Sequence, residues 1–248
     1  MTPFMLATLG GLISFGSTSF GAALAMLRLP GQRFESWRLP IDFALGLMIS
    51  AVAFSLVGPA ALEALGDWQR FLPIALGFSV GVLAIIILHG LMHRFEATKG
   101  HQGQLLLAVV LMVHNFPEGL ASGAALVGLD VVQARTVLSS IALQNIPEGL
   151  LMVACLRGLG ASTFWSLAGG IGSGVIELLG GMGAGVLLHG DAQLLPFLLA
   201  TAGGAMLTSV LLEIREKAAR HKPIWNSRFA MGLITIPLLN GVIGLLQS

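Results

Sequence analysis

The chain has 248 residues, 55% of them hydrophobic and only 10% charged, with 33 glycines and a mean hydropathy of +0.88. That composition belongs to a polytopic membrane protein, since small residues let transmembrane helices approach closely. A formal net charge of +1 leaves no basic footprint for nucleic acid, and a single cysteine, Cys155, excludes an intrachain disulfide and any CxxC metal site.

Eight segments reach the ~20 apolar residues that a helical crossing needs. Their limits are 4–27, 40–62, 71–93, 103–128, 132–156, 163–189, 193–215 and 229–247. The fold class is therefore all-α, one transmembrane domain over residues 1–248 with eight spans and short connections. The first span has no Lys or Arg ahead of it, and Arg28, Arg33 and Arg38 follow it. It reads as an anchor with its N-terminus outside, not as a removed signal.

Orientation follows from the positive charges. Alternate loops hold Arg28, Arg33 and Arg38, then Arg94 and Lys99, then Arg157, then Arg215, Lys217, Arg220, Lys222 and Arg228. The opposite side holds only Arg70 and Arg135. A division of 11 to 2 places both termini outside the cytoplasm.

Spans four and five each carry one copy of a seven-residue phrase: His114-Asn115-Phe116-Pro117-Glu118-Gly119-Leu120 and Gln144-Asn145-Ile146-Pro147-Glu148-Gly149-Leu150. A carboxylate inside a span is costly and marks a functional site by default. His114 and Glu118 are four apart, as are Gln144 and Glu148, so each pair shares a helix face; Asn115 and Asn145 sit three before their glutamates on nearly the same face. Each proline removes one backbone hydrogen bond and frees a carbonyl, Val113 for Pro117 and Leu143 for Pro147. Adjacent spans run antiparallel, so the two phrases can face one another. A third carboxylate, Glu177, lies mid-span in Gly-Ser-Gly-Val-Ile-Glu. Three such groups repel unless protonated or bridged by a cation. Imidazole, carboxylate and amide donors without thiolates suit a borderline divalent ion such as Zn²⁺, Fe²⁺, Mn²⁺ or Cd²⁺. A single intramembrane glutamate could equally be a proton carrier or a structural hydrogen-bonding group; the repetition favours the metal.

Other groups carry less. Met48 and Met206 are thioether candidates that packing explains as readily. Glu213 is either an exit ligand or an interfacial charge. His89, His93 and His101 read as interface histidines, Asp42 and Glu63 as interfacial acids.

At these residues the chain resembles the ZIP family of divalent-metal transporters. HNFPEG, QNIPEG, the Glu177 segment, Gly203-Gly204-Ala205-Met206 leading to Glu213, and Gly46-Leu47-Met48 in span two all match, so the resemblance covers essentially the whole chain. It implies a two-metal site between spans four, five and six. His114, Glu118, Gln144 and Glu148 would hold one ion, and Asn115, Glu118, Asn145, Glu148 and Glu177 the other, with Met48 as an extra ligand from span two. It also implies that spans one, four, five and six move as a block against the rest, and that homodimers form. Many members have His in place of Gln144, and some have Asp in place of Asn145. The long His-rich loop of the family between spans three and four is here a short connection. The expected activity is import of a divalent transition metal, Zn²⁺ first, across the inner or plasma membrane, with the metal as substrate and no cofactor. No GxxxxGK[ST] loop is present for ATP and no HEXXH spacing for a hydrolytic zinc, so an enzyme is not expected. The alternative is a membrane metal sensor or assembly protein that binds without transporting.

Overall fold

The computed structural model describes residues 1–27, 38–96, 102–219 and 225–245; the side chains of 38–40, 92–96, 102–111 and 114 are outside that description. In chain order the helices are α1 (Pro3–Met26), α2 (Arg38–Ala51), α3 (Gly58–Glu63), α4 (Trp68–Glu96), α5 (Gln102–Gly128), α6 (Val131–Gly158), α7 (Thr163–Gly190), α8 (Leu195–Ala219) and α9 (Ser227–Leu245). Among the described residues there is no strand. Three starts are capped as their sequences dictate: the Thr2, Asp130 and Ser162 side chains accept backbone N–H bonds at the heads of α1, α6 and α7.

Among the described residues, seven helical segments are long and apolar enough to cross a membrane: Pro3–Leu27, Ile41–Glu63, Trp68–Leu91, Val131–Gly158, Thr163–Gly190, Ala192–Ala219 and Ser227–Leu245. The chain is thus an all-helical, polytopic membrane protein. The segment expected as span four, 103–128, is the 27-residue helix α5; the side chains of its first ten residues lie outside the described ones, and the seven are counted without it.

Span two differs from the single helix expected over 40–62. Between α2 and α3 the chain widens into a π-helical turn, Val52–Leu56, closed by Val57 N–H on the Val52 carbonyl at 3.0 Å. Pro59 is the cause. Its ring cannot sit against the carbonyl four residues back, and it lacks the N–H that an α-helical turn would use. The widened turn accommodates both defects, as such bulges do. In contrast, α5 and α6 run through Pro117 and Pro147 as continuous helices, so the two phrases are not breaks.

Helices α1, α5, α6 and α7 all pack on one another and form one body. Outside it, α4 pairs with α8 and α2 with α9; α5 against α8 and α2 against α6 are the main links between the two sets. Lipid offers no hydrophobic drive for helix association, so backbone proximity through small residues does the holding. A Cβ on Gly21 would lie 2.0 Å from the Ile146 carbonyl oxygen, and one on Gly204 would lie 2.2 Å from that of Phe78. Several other glycines, among them Gly10, Gly46, Gly77 and Gly180, sit at such crossings.

At one end of the α2, α8 and α9 group, Lys217 pairs with Asp42, and Asn226 Nδ2 donates to the same carboxylate at 2.7 Å. Asp42 is therefore a buried clasp across three helices and not the interfacial acid expected; Glu63 is exposed.

Candidate metal centre

The polar centre of the bundle is built on α5, α6 and α7. Glu118, Gln144, Asn145 and Glu177 are all 0% exposed, Asn115 and Glu148 nearly so. Buried polar groups normally find partners, so where each atom goes is informative. Gln144 Nε2 donates to Glu118 Oε1 at 3.1 Å across the α5–α6 contact. Asn145 Nδ2 donates to Glu177 Oε2 at 3.0 Å, joining α6 to α7. Asn115 Nδ2 donates to the Ser173 carbonyl at 3.2 Å, joining α5 to α7. Glu148 and Glu177 both lie within electrostatic range of Glu118. The antiparallel phrases thus bring their amides and carboxylates together.

Among the described residues, four buried oxygens find no hydrogen-bond donor: Asn115 Oδ1, Glu118 Oε2, Gln144 Oε1 and Asn145 Oδ1. Leaving one such atom dry and unpaired costs about 1–3 kcal/mol, and more when charged. Oxygens of this kind, two of them from the residues that begin the second phrase, are what a hard or borderline cation accepts. Among the described residues no three His, Cys, Asp or Glu side chains are grouped closely enough to hold an ion by themselves. A cation here would be held by carboxylates and amides together. The His114 side chain lies outside the described residues; its backbone sits one turn before Glu118 on α5.

The weaker candidates have mixed surroundings. Met48 is buried in a cluster with Leu45, Val210 and Phe229. Met206 is the thioether brought to the centre, its sulfur 3.9 Å from Gln144 Nε2. Glu213 is half-buried near Cys155. His89 is half-buried on α4, and the side chains of His93 and His101 are outside the described residues.

Helix α1 supplies two functional groups that the sequence reading passed over. Thr18 Oγ1 donates to Glu177 Oε1, and Ser14 Oγ accepts from Asn145 Nδ2 at 2.9 Å. The available signal was spacing: every buried residue of α1 is small, at positions 7, 10, 11, 14, 18, 21, 22 and 25, one stripe at helical period. The phrase glycines lie at close helix crossings. A Cβ on Gly119 would lie 1.8 Å from the Glu177 carbonyl oxygen, and one on Gly149 would lie 2.0 Å from that of Thr18.

On one side of the centre the bundle is closed by apolar packing. Leu120 and Ala124 of α5, Val137 and Ile141 of α6, Leu47 and Ala51 of α2, and Leu199 and Met206 of α8 belong to one buried cluster. Within the same region the hydroxyls of Ser55, in the π-helical turn, and Ser140, on α6, lie 2.8 Å apart.

No family model matches the chain. Among curated proteins it is 34% identical over 180 residues to zinc transporter GufA of Myxococcus xanthus, covering 68% of this chain and 71% of that one. It is 33% identical over 229 residues to zinc transporter ZIPB of Bordetella bronchiseptica, covering 87% and 73%. Zinc transporter ZIP11 of Xenopus tropicalis is 26% identical over 304 residues, covering 88% and 90%. Helical architecture and these relatives together define a multi-pass membrane protein for metal-ion transport, and not an enzyme. The chain belongs to the ZIP family.

Proposed function

We propose that this protein imports a divalent transition-metal ion, Zn²⁺ before Fe²⁺, Mn²⁺ or Cd²⁺, into the cytoplasm across the inner or plasma membrane. The ion would pass between α5, α6 and α7, with α5 as span four of eight and both termini outside. The observation that carries this reading is the set of four buried oxygens without hydrogen bonds on Asn115, Glu118, Gln144 and Asn145. Such a set is costly without a cation and useful with one.

Glu118 and Glu148 are the charged ligands in this reading, with Gln144 and the His114 imidazole completing the coordination. Gln144 is a neutral oxygen donor in a position where imidazole would favour zinc, so selectivity is broad. Weak, mixed coordination also lets the ion leave.

The inward direction rests on the family resemblance, and charge placement only orients the chain. With the Lys and Arg loops inside, the packed cluster around Leu120, Val137 and Leu199 lies on the outer side of the centre. Release would be toward the α8 end that carries Glu213. An inside-negative potential favours inward movement of a doubly charged ion by about 4.6 kcal/mol per 100 mV, enough without ATP.

Uptake of Zn²⁺, Fe²⁺, Mn²⁺ and Cd²⁺ into proteoliposomes tests the proposal. Accumulation by the wild type and its loss in Glu118→Ala/Glu148→Ala is the expected result. Undiminished flux in the double variant would move the path elsewhere. Stoichiometric binding with no flux of any ion would favour a sensor.

A further inference from the structure

Glu118 and Glu177 are equally buried, yet their oxygens are used differently. Glu118 accepts one hydrogen bond from Gln144 and keeps Oε2 without one. Both oxygens of Glu177 are engaged, Oε1 by the Thr18 hydroxyl and Oε2 by Asn145 Nδ2. Asn145 has two N–H bonds to give; one goes to Glu177 and the other to Ser14 Oγ at 2.9 Å. The backbone at Glu177 is gripped as tightly, because Gly119 of α5 and Gly11 of α1 both crowd its carbonyl.

We propose that Glu177 is a positioning residue, held in a clamp by Thr18, Ser14 and Asn145, and that the centre takes one ion per chain, at Glu118 and Glu148. This rests on the metal-transport reading above and departs from the two-metal arrangement that the resemblance implies. The chemistry turns on residue 145. An aspartate there would oppose a second anion to Glu177 at hydrogen-bond distance, and only a cation between them would relieve the repulsion. Asparagine supplies the positive end of an N–H dipole from the chain itself, so the amide stands where the second cation would stand. The clamp fastens α1 and α7 to α6, which keeps the body that carries the ion rigid. The amide oxygens left over, Asn115 Oδ1 and Asn145 Oδ1, are buried neutral oxygens without hydrogen bonds among the described residues.

Equilibrium dialysis of the purified full-length protein against saturating Cd²⁺, with metal and protein both quantified, tests this. One ion per chain is expected for the wild type and for Glu177→Gln, which keeps an acceptor for Thr18. Asn145→Asp should raise the count to two, a gain that a purely structural role for Asn145 would not produce. Two ions in the wild type, falling to one in Glu177→Gln, would overturn the clamp. So would a count that stays at one in Asn145→Asp. Should the aspartate variant fail to fold, the wild type and Glu177→Gln decide between one ion and two. No bound Cd²⁺ in the wild type would overturn the metal reading itself, an outcome distinct from a second ion.

Discussion

Gln144 Nε2 reaches two groups at once, a carboxylate oxygen of Glu118 and the sulfur of Met206, so this one residue sets the character of the centre. Replacing it with histidine substitutes an imidazole for a neutral amide. The expected result is a shift of uptake toward Zn²⁺ over Mn²⁺, read from competition between the two ions in one assay. Equal competition in both proteins would remove Gln144 from the coordination shell. Glu118→Gln keeps the side-chain volume and an acceptor for Gln144 while removing the charge. Uptake should fall by at least ~10-fold, the scale on which even outer neighbours of a metal ligand act. The metal-free protein should be no less stable, because one of three mutually repelling buried carboxylates has been replaced by a neutral amide. A fall in melting temperature with unchanged uptake would reverse that assignment. At this scale much was legible: the phrase spacing placed Glu118, Gln144 and Asn145 on facing surfaces without any structure. Ser14 and Thr18 were not legible, because a hydroxyl on an apolar helix announces its role only when a carboxylate from another helix arrives opposite it.

Helix positions followed from apolar run length, while the contacts between helices did not. A glycine in a span looks the same in the sequence whether it faces lipid or a neighbouring carbonyl. Gly119 and Gly172 make the contrast measurable. A Cβ at Gly119 meets the Glu177 carbonyl oxygen at 1.8 Å, whereas nothing lies within 4 Å of one at Gly172. Gly119→Ala should therefore destabilise by about 3 kcal/mol or more through forced separation of α5 and α7. Gly172→Ala should be neutral, or stabilising by up to ~1 kcal/mol through helix propensity. Thermal unfolding in detergent compares the two; equal effects would contradict the close packing at Glu177. The Asp42 clasp is a second feature of this scale, formed between helices that the chain separates by 175 residues. Asp42→Asn leaves Lys217 mostly buried without its counter-charge and should cost about 2–3 kcal/mol, with part recovered in Asp42→Asn/Lys217→Met. Additive losses in the double variant would mean that the pair is not coupled. The π-helical turn was hidden for the same reason: Pro59 signals a disturbance, and only the surrounding helices decide whether it becomes a kink, a break or a widened turn.

The whole molecule divides into the body of α1, α5, α6 and α7 and the flanking pairs α2–α9 and α4–α8. Transport requires the centre to be reached from one face and then the other, so the apolar cluster between the two sets must open. Ser55 and Ser140 sit on opposite sides of that seam, with their oxygens 2.8 Å apart. Cysteines at both positions, in a Cys155→Ala background, are close enough for a disulfide. Oxidation should stop uptake and reductant should restore it. Full uptake by the cross-linked protein would mean that the seam does not part. Membrane class and the helical nature of the apolar runs were readable at this scale, since hydropathy is a property of the chain. Which helices pack into one body was not readable from those properties, because it depends on the glycine contacts.

Anomalous diffraction from crystals grown with Cd²⁺ would test the central claim most directly. A peak bonded to the carboxylates of Glu118 and Glu148, close to Gln144, is the predicted result. Bound cadmium confined to the α8 end near Glu213, with no peak at the two phrases, would contradict it.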